Sequence, residues 1–427
     1  MQRRRGGRFS YFAPKRSCSF GQLWDVPEFL HTRGTGTFLI SPAPVMHFSS
    51  LSESLAAPKN PLYMAHDELR AANHAILDLV KGNVNEHGIV YPEETLQLIL
   101  QEASKPARIY KPDSLGQRVA REAISRYYDG RISARQFVLT PGTSVSYWYC
   151  FKLLAEPGDE ILTPQPSYPL FDYIAQLCGV KLTPYELDES RNWAIDLDYL
   201  ERQIGAKTRA IVLISPHNPT GMVASMDQLQ ELAGIAGRYE VPIIADEVFS
   251  EFLFNNEALP RPAFTDAPLV FTLNGFSKMF ALPGMKLGWI GVSGDDHLVD
   301  RSLGALELIS DTFLPVNEAV QFSVPEIFAR GSAFVEGYKR YIRECRDIAV
   351  DCLAGCDFVP PEGGFYVTVR LQEDEEEAAL RLLRDQHVLV HPGYFYDIAP
   401  NHLVMTYIQD AANLRKAFSA IAELARG

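Results

Sequence analysis

The sequence predicts an α/β protein in which a large domain with a mainly parallel sheet is joined to a smaller α+β domain. Three observations lead to this class. From about residue 115, helical segments alternate with short apolar runs, which is typical of crossover units in a parallel sheet. Beyond about residue 325, a long helix precedes two strands and a closing helix, as in an α+β unit. The 427 residues exceed the usual size of one domain, so more than one packed unit is expected.

The predicted large domain spans residues 96–325 and holds a seven-stranded sheet between helices. Residues 117–128 are expected to form a helix before the first strand, and residues 143–155 a helix after it. Ser225 and Gln228 have the spacing of a capping box, which predicts the start of a further helix. Short apolar runs bounded by turn residues predict the strands at 136–140, 160–163, 181–185, 210–215, 242–245, 270–273 and 287–292.

The predicted small domain spans residues 326–427. Its elements are expected to be a helix at 333–353, strands at 364–371 and 402–408, and a closing helix at 410–425. The acidic run at 373–377 predicts a solvated helix start, where negative charge is favourable to the helix dipole. Residues 46–95 are expected to pack on this domain as an N-terminal segment.

The first 45 residues differ from the rest of the chain and do not enter the fold prediction. Six basic residues precede the first acidic residue, Asp25, and prolines and glycines interrupt the stretch. No continuous apolar region follows, so a secretory signal is not expected. The segment is interpreted as a disordered tail, or as an extension upstream of a native start at Met46.

Composition and charge exclude several classes of protein. The residues are 47% hydrophobic and 22% charged, as in ordinary globular proteins. The net charge of −13 would repel phosphate backbones, so no nucleic-acid partner is expected. No run of eighteen apolar residues occurs, so no membrane span is expected. Six cysteines without metal-ligand spacing indicate buried thiols in a reducing, cytoplasmic compartment: Cys18, Cys150, Cys178, Cys345, Cys352 and Cys356.

Polar residues follow the predicted strands, in the loops where an open parallel sheet collects its active site. After the strand that ends at Thr140, Gly142, Thr143 and Ser144 begin a helix whose free N–H groups suit a phosphate. An ordinary strand-to-helix turn with a Thr or Ser cap would contain the same residues. After the strand at 210–215, a proline on each side of Asn218 fixes the asparagine at the sheet edge.

Two charged residues end buried strands. Asp246 follows an apolar strand, where a carboxylate is costly unless a cation or strong donors meet it. Lys278 follows the strand at 270–273, where desolvation lowers the pKa of the amine and makes it a nucleophile. A structural ion pair between Lys278 and Asp246 is the alternative, but it would leave the other loops unexplained.

These loops together offer a phosphate cradle, an anion for a protonated ring nitrogen, an amide side chain and a desolvated lysine. Pyridoxal 5′-phosphate (PLP) requires this set of groups. Its aldehyde condenses with a lysine, a carboxylate keeps its pyridine ring charged so that the ring accepts electrons, and donors hold its phosphate. The sequence therefore predicts a PLP site.

Four motifs in the same order resemble those of the class I/II aminotransferases, which are PLP enzymes of fold type I. They are NPTG at 218–221, DEV at 246–248, SK at 277–278 and PGMKLGW at 283–289. The resemblance extends over roughly residues 46–427. Further markers of the family match Tyr110 with Pro112 and Gly116, PSYP at 166–169 and VHPG at 390–393.

The resemblance implies a role for each matching residue. Lys278 would form the Schiff base and then carry a proton between the substrate and cofactor carbons. Asp246 would pair with the pyridine nitrogen, Asn218 would donate to the ring oxygen and Tyr168 would stack on the ring. A homodimer with shared active sites is also implied. The phosphate would be held by the turn at Gly142, the N–H groups of Thr143 and Ser144, the Ser277 hydroxyl, Lys286, and a Tyr110 from the neighbouring subunit.

The sequence departs from the family pattern at three positions. Phe249 stands where a tyrosine donates a second hydrogen bond to the ring oxygen, so the lysine imine is expected to titrate above the family's usual range. Lys286 replaces an arginine, so the phosphate meets a single ammonium charge instead of a planar guanidinium group that can form two parallel hydrogen bonds. Val404 stands where an arginine binds the substrate's α-carboxylate. Either a residue elsewhere binds the carboxylate, with Arg370 and His391 as candidates, or the substrate has no carboxylate.

The function that the resemblance implies is transfer of an amino group between an amino compound, such as an amino acid, and a 2-oxo acid. Other PLP reactions on the same fold are alternatives, including C–S lysis, decarboxylation and synthase reactions. A regulator that keeps PLP without turnover is a third, although the irregular N-terminal residues cannot supply a helix-turn-helix. A nucleotide-dependent oxidoreductase is disfavoured because no G-x-G-x-x-G follows the first strand.

Overall fold

The computed structural model describes residues 59–255 and 258–427, so the predictions for residues 1–45 and for the start of the segment 46–95 lie outside it. In chain order the strands are β1 (Leu77–Asp78), β2 (Phe137–Thr140), β3 (Glu160–Gln165), β4 (Lys181–Asp188), β5 (Ala194–Ile195), β6 (Thr208–Ile214), β7 (Ile243–Asp246), β8 (Leu269–Gly275), β9 (Gly288–Gly294), β10 (Tyr366–Arg370), β11 (Val388–Leu389), β12 (His391–Pro392) and β13 (His402–Thr406). The α-helices are α1 (Pro61–Ala71), α2 (Glu93–Ala107), α3 (Arg118–Tyr127), α4 (Thr143–Leu154), α5 (Leu170–Cys178), α6 (Leu197–Gln203), α7 (Met226–Tyr239), α8 (Phe276–Met279), α9 (Asp296–Phe313), α10 (Glu318–Cys352), α11 (Glu375–Gln386) and α12 (Ala411–Arg426).

The central sheet confirms the predicted α/β class. Its strands lie in the order β2-β9-β8-β7-β6-β3-β4-β5. The strands from β8 to β4 run parallel, whereas β9 is antiparallel to both of its neighbours and β5 is antiparallel to β4. All seven predicted strands are present, and β5 is an addition at the sheet edge. A run of two residues has no periodic pattern, so nothing in the sequence indicated β5.

Helices cover both faces of the sheet, which explains why every residue of the central strands β7 and β8 is buried. Along β7, Ile243 and Ala245 pack in the core with the helix α7, while Ile244 between them packs on the other face with α4, α5 and α9. The predicted capping box is confirmed at the start of α7, where the Ser225 hydroxyl accepts from Gln228 N at 3.2 Å and the Gln228 side chain accepts from Ser225 N at 3.1 Å.

The helix α10 is longer than predicted, because it begins at Glu318 rather than at residue 333 and continues through Pro325. Proline removes one backbone donor, and burial offsets that loss here: the side chains of Val324 and Ile327 on either side are fully buried. The predicted domain boundary at 325/326 lies inside this helix.

The C-terminal part of the chain contains a three-stranded antiparallel sheet of order β10-β13-β12 with α11 and α12 against it. The N-terminal segment reaches this region, where β1 pairs in parallel with β11. The acidic run begins α11 as predicted: the Asp374 side chain caps it by accepting from the N–H groups of Glu376 and Glu377. Glu375, however, is not solvated, because it is buried and accepts from Tyr394 N at 3.0 Å and His402 N at 2.8 Å.

No helix in the described part of the chain is long and apolar enough to cross a membrane. The cysteines that the structure describes are all free thiols. Cys150, Cys178 and Cys345 are buried as predicted, whereas Cys352 and Cys356 are partly exposed, which corrects the expectation that every thiol is buried.

Candidate active site

The loops predicted to carry chemistry meet at one edge of the central sheet. In the ladder, Asp246 at the end of β7 lies opposite Leu273 of β8, and β8 continues through Gly275 into the short helix that carries Lys278. Gly288 at the start of β9 pairs with Gly275 on one side and with Thr140 of β2 on the other. The turn after β2, the lysine helix after β8 and the segment before β9 are therefore neighbours.

Lys278 is a partly buried lysine whose amine has a lowered pKa. Its Nζ donates to the carbonyl oxygen of Gly82 at 3.0 Å, and it lies 5.8 Å from the ring centroid of Phe249 and 5.7 Å from that of Phe365. Burial lowers the pKa of Lys278 from 10.5 to about 8. An amine in this state is a nucleophile and can accept and return a proton.

Asp246 is a buried carboxylate held by neutral donors. The Tyr147 hydroxyl donates to Oδ2 at 2.8 Å and Val248 N donates to Oδ1 at 3.0 Å. Burial raises the pKa of Asp246 to about 6, and these two hydrogen bonds oppose the rise. The cation expected beside Asp246 is not among the described side chains: no ion pair joins it to Lys278, which bonds to Gly82 instead. The carboxylate is thus ready for a positive partner such as a protonated ring nitrogen.

Tyr147 was not recognised in the sequence, although its position carried a signal. It lies one turn after Thr143 on α4 and is 3% exposed. Residues four apart lie on the same side of a helix, and the side of α4 that faces the sheet lies over the end of β7. A hydrogen bond from Tyr147 to Asp246 could therefore have been predicted.

Asn218 and Tyr168 lie beside the same centre. Asn218 is 8% exposed, and its Oδ1 is buried without a hydrogen-bond partner. Burial raises the pKa of Tyr168, and the charge of nearby Asp246 raises it further. The Tyr168 ring meets Phe171 edge to face with the centroids 6.1 Å apart. Tyr366, on β10, is a further neighbour, since the Asn218 side chain and Tyr168 both act on the pKa of its hydroxyl.

The turn after β2 forms a cradle at the N-terminus of α4. Gly142 has φ +118°, a conformation that favours glycine. Thr143 and Ser144 are the first residues of the helix, so their N–H groups have no carbonyl partner within it. A carbon added to Gly142 would lie 3.9 Å from Lys286 Nζ, so the exposed Lys286 side chain reaches the same place. Ser277 precedes Lys278 in the neighbouring helix α8.

The side chains predicted to bind a substrate carboxylate already have partners within the protein. Val404 is 1% exposed within β13, opposite Thr368 and His391. Arg370 pairs with Glu189 and with Asp357, the latter at 3.4 Å. His391 bonds to Tyr63 and Tyr396 at 2.8 and 3.1 Å, and burial lowers its pKa to about 3, so it is neutral.

Tyr110 is separate from the other predicted residues and is 78% exposed. It lines a shallow groove with Ser310 and Leu314 at the C-terminal end of α9. Ile109, Leu308 and Phe313 are also large apolar residues that are more than half exposed.

These residues fit PLP on three grounds. Asp246 has no cationic partner among the described residues, Lys278 is desolvated, and a helix N-terminus with Lys286 offers a phosphate cradle. When bound, PLP supplies an electron sink for the carbanion that forms when an amino compound loses its α-proton. The fold and site together define a PLP-dependent enzyme of fold type I.

Comparison with known proteins gives the family. A family model described as aminotransferase class I and II matches residues 76–421, and the chain belongs to this family. Over 384 residues it is 29% identical to the glutamate-pyruvate aminotransferase AlaA of Haemophilus influenzae, with 85% of this chain and 94% of that protein covered. Over 392 residues it is 27% identical to an alanine aminotransferase of Mycobacterium tuberculosis, with 87% and 91% covered.

Solved structures agree with this assignment. An aminotransferase from Escherichia coli superimposes with a TM-score of 0.79 at 26% identity, covering 90% of this chain and 99% of that one. An alanine aminotransferase from Pyrococcus furiosus shares the fold with a TM-score of 0.82 at 24% identity, covering 89% of this chain and all of that one. The chain is accordingly a PLP-dependent aminotransferase, and the predicted fold type is confirmed.

Proposed function

We propose that this aminotransferase moves an amino group between an amino acid and a 2-oxo acid, with Lys278 as the residue that binds PLP and transfers the proton. The observation that carries the proposal is the pair of ionisable groups at the ends of adjacent strands. Lys278 has a pKa lowered to about 8 and Asp246 a pKa raised to about 6, and burial is the main cause of both shifts. Such opposed shifts at one site are typical of catalytic groups.

The other predicted residues take supporting roles in this proposal. Asp246 keeps the ring nitrogen protonated, while Tyr147 and Val248 N fix the carboxylate. The N–H groups of Thr143 and Ser144, the Ser277 hydroxyl and Lys286 hold the phosphate, with Gly142 shaping the turn. Asn218 binds the ring oxygen, and Tyr168 covers the ring.

The substrates are proposed from the relatives. Those named above act, by their names, on alanine or on glutamate and pyruvate. Small amino acids and their 2-oxo acids are therefore the first donors and acceptors to test. Val404 offers no charge for an α-carboxylate, so neutral donors, a cation from another part of the chain or a cation of the neighbouring subunit would bind it if an amino acid is the substrate.

A homodimer with shared active sites belongs to the same proposal. Tyr110, which the family places at the neighbouring subunit's phosphate, lies on the surface of the single chain, and Ile109, Leu308 and Phe313 are apolar and exposed as well. Burial of these side chains against a second copy would remove apolar area from water. The free cysteines support a cytoplasmic location.

The test is a half-reaction with PLP-loaded protein. Addition of alanine or glutamate should convert the absorbance of the PLP form to that of the pyridoxamine form, and pyruvate or 2-oxoglutarate should reverse the change. Lys278→Ala should abolish both directions, because proton transfer is lost. Conversion with amines that lack a carboxylate but not with amino acids would show that the substrate class is wrong. Release of ammonia or carbon dioxide without the pyridoxamine form would indicate a lyase or decarboxylase instead.

A further inference from the structure

Tyr366 brings a hydroxyl group to the centre of the candidate site, although no sequence motif indicated it. It is the first residue of β10, in the C-terminal part of the chain, and is 9% exposed. A carbon added to Gly82 would lie 3.1 Å from the Tyr366 hydroxyl oxygen and 3.4 Å from Lys278 Nζ. The hydroxyl and the amine therefore flank the same point.

Tyr366 also lies next to the residue that departs from the family pattern. Its ring meets the Phe249 ring edge to face, with the centroids 6.2 Å apart. Burial raises the pKa of Tyr366, Tyr168 raises it further, and a hydrogen bond with the Asn218 side chain opposes the rise. The hydroxyl thus keeps its proton, and it is adjacent to Asn218, which is proposed to bind the ring oxygen.

We infer that the Tyr366 hydroxyl donates to the ring oxygen of PLP the hydrogen bond that Phe249 cannot donate. A tyrosine hydroxyl can accept one hydrogen bond while it donates another, so a bond from Asn218 leaves its proton available. The amide of Asn218 has two N–H groups and can serve both Tyr366 and the ring oxygen. A residue of β10 then replaces a donor that the family carries shortly after Asp246.

The inference rests on the proposed function, because it requires PLP beside Lys278. The inference changes the pKa that is expected for the imine between Lys278 and PLP. Donors to the ring oxygen stabilise negative charge there and so weaken the hold of the lysine nitrogen on its proton when the lysine is linked to PLP. The rise expected from Phe249 alone is offset by Tyr366 in the wild-type protein.

The test is a pH series of the visible absorbance of PLP-loaded protein. Tyr366→Phe should move the spectral transition upward by about one pH unit, since a hydrogen bond to a charged group has that order of effect. The double variant Phe249→Tyr with Tyr366→Phe should return toward the wild-type midpoint, because the family's donor is restored. Tyr338→Phe is the matched control: Tyr338 is 1% exposed and its hydroxyl has no partner in the described part of the chain, so its loss should leave the midpoint unchanged.

The outcomes separate this inference from the proposed function. Absence of any visible band after reconstitution would contradict the PLP site itself. A wild-type band with the same midpoint in Tyr366→Phe would contradict the role of Tyr366, provided that thermal melting shows the variant folded. An equal upward shift in Tyr338→Phe would also overturn it, because any lost tyrosine hydroxyl would then have the same effect.

Discussion

At the scale of single residues, the site depends on burial rather than on ion pairs. Desolvation lowers the pKa of Lys278 and raises that of Asp246, and neither group has a charged partner among the described residues. The lowered pKa of Lys278 was predicted from its place after an apolar strand, whereas for Asp246 the sequence predicted only that a carboxylate there needs a cation or strong donors. The neutral donor Tyr147 was missed, although its place one turn into the helix after β2 was a usable signal.

Replacement of Asp246 by asparagine should have opposite effects on stability and on cofactor binding. Between pH 3.8 and about 6 the folded protein binds more protons at Asp246 than the unfolded chain, so stability falls as pH rises through this window and stays lower above it. Asp246→Asn should therefore raise the melting temperature of the PLP-free protein at pH 7.5, with a gain of at most about 3 kcal/mol. The gain should disappear below pH 4.

The same variant should bind PLP more weakly, because the ring nitrogen loses its counter-charge. Melting curves of the PLP-free protein over a pH range and equilibrium dialysis with PLP would measure the two effects. Equal stability of variant and wild type at pH 7.5, or unchanged PLP affinity, would contradict the assigned environment of Asp246.

At the scale of elements, local patterns predicted most of the sheet and several caps. Apolar runs located the seven main strands to within a few residues, and the capping box located α7. The sequence did not locate β5, which is two residues long, or the start of α10, which lies at Glu318 rather than at residue 333. In both cases tertiary packing decided the outcome, and a local pattern does not contain that information.

The proposed phosphate cradle lies where two backbone segments approach each other closely. A carbon added to Gly288 would lie 3.0 Å from both the C and Cα atoms of Gly142 and 3.1 Å from the carbonyl oxygen of Asn274. Gly288→Ala should therefore push the turn away from the start of β9, destabilise the protein by about 1 to 3 kcal/mol and weaken PLP binding.

Gly284→Ala is the matched control for this change. Gly284 lies four residues earlier in the same motif, and a carbon added there would meet no atom within 4 Å. Its stability and PLP affinity should stay close to those of the wild type. Similar losses in both variants would mean that the contact with Gly142 is not the cause.

At the scale of the whole molecule, the site is assembled from distant parts of the chain. Gly82 comes from the N-terminal segment, Lys278 from the central sheet and Tyr366 from the C-terminal part. Motifs predicted the residues of the sheet loops, because each lies in a recognisable local pattern. Tyr366 was not recognised, since its place depends on how the C-terminal sheet meets the large one.

The proposed homodimer predicts that charged substitutions among the exposed apolar residues Ile109, Leu308 and Phe313 will disrupt assembly. The double change Leu308→Asp and Phe313→Asp should convert a dimer to a monomer in light scattering and weaken PLP binding, because Tyr110 would no longer reach a neighbouring site. Leu177→Asp is a control at an exposed leucine, 58% exposed, outside this group. A monomeric wild type, or a double variant that stays dimeric, would contradict the shared site.

The most direct test of the whole account is the identity of the lysine that binds PLP. The PLP-loaded protein should be reduced with borohydride, digested and analysed by mass spectrometry. We predict a single phosphopyridoxyl group on Lys278 and none in Lys278→Ala. Labelling of a different lysine, or no label despite bound PLP, would contradict the proposed catalytic centre.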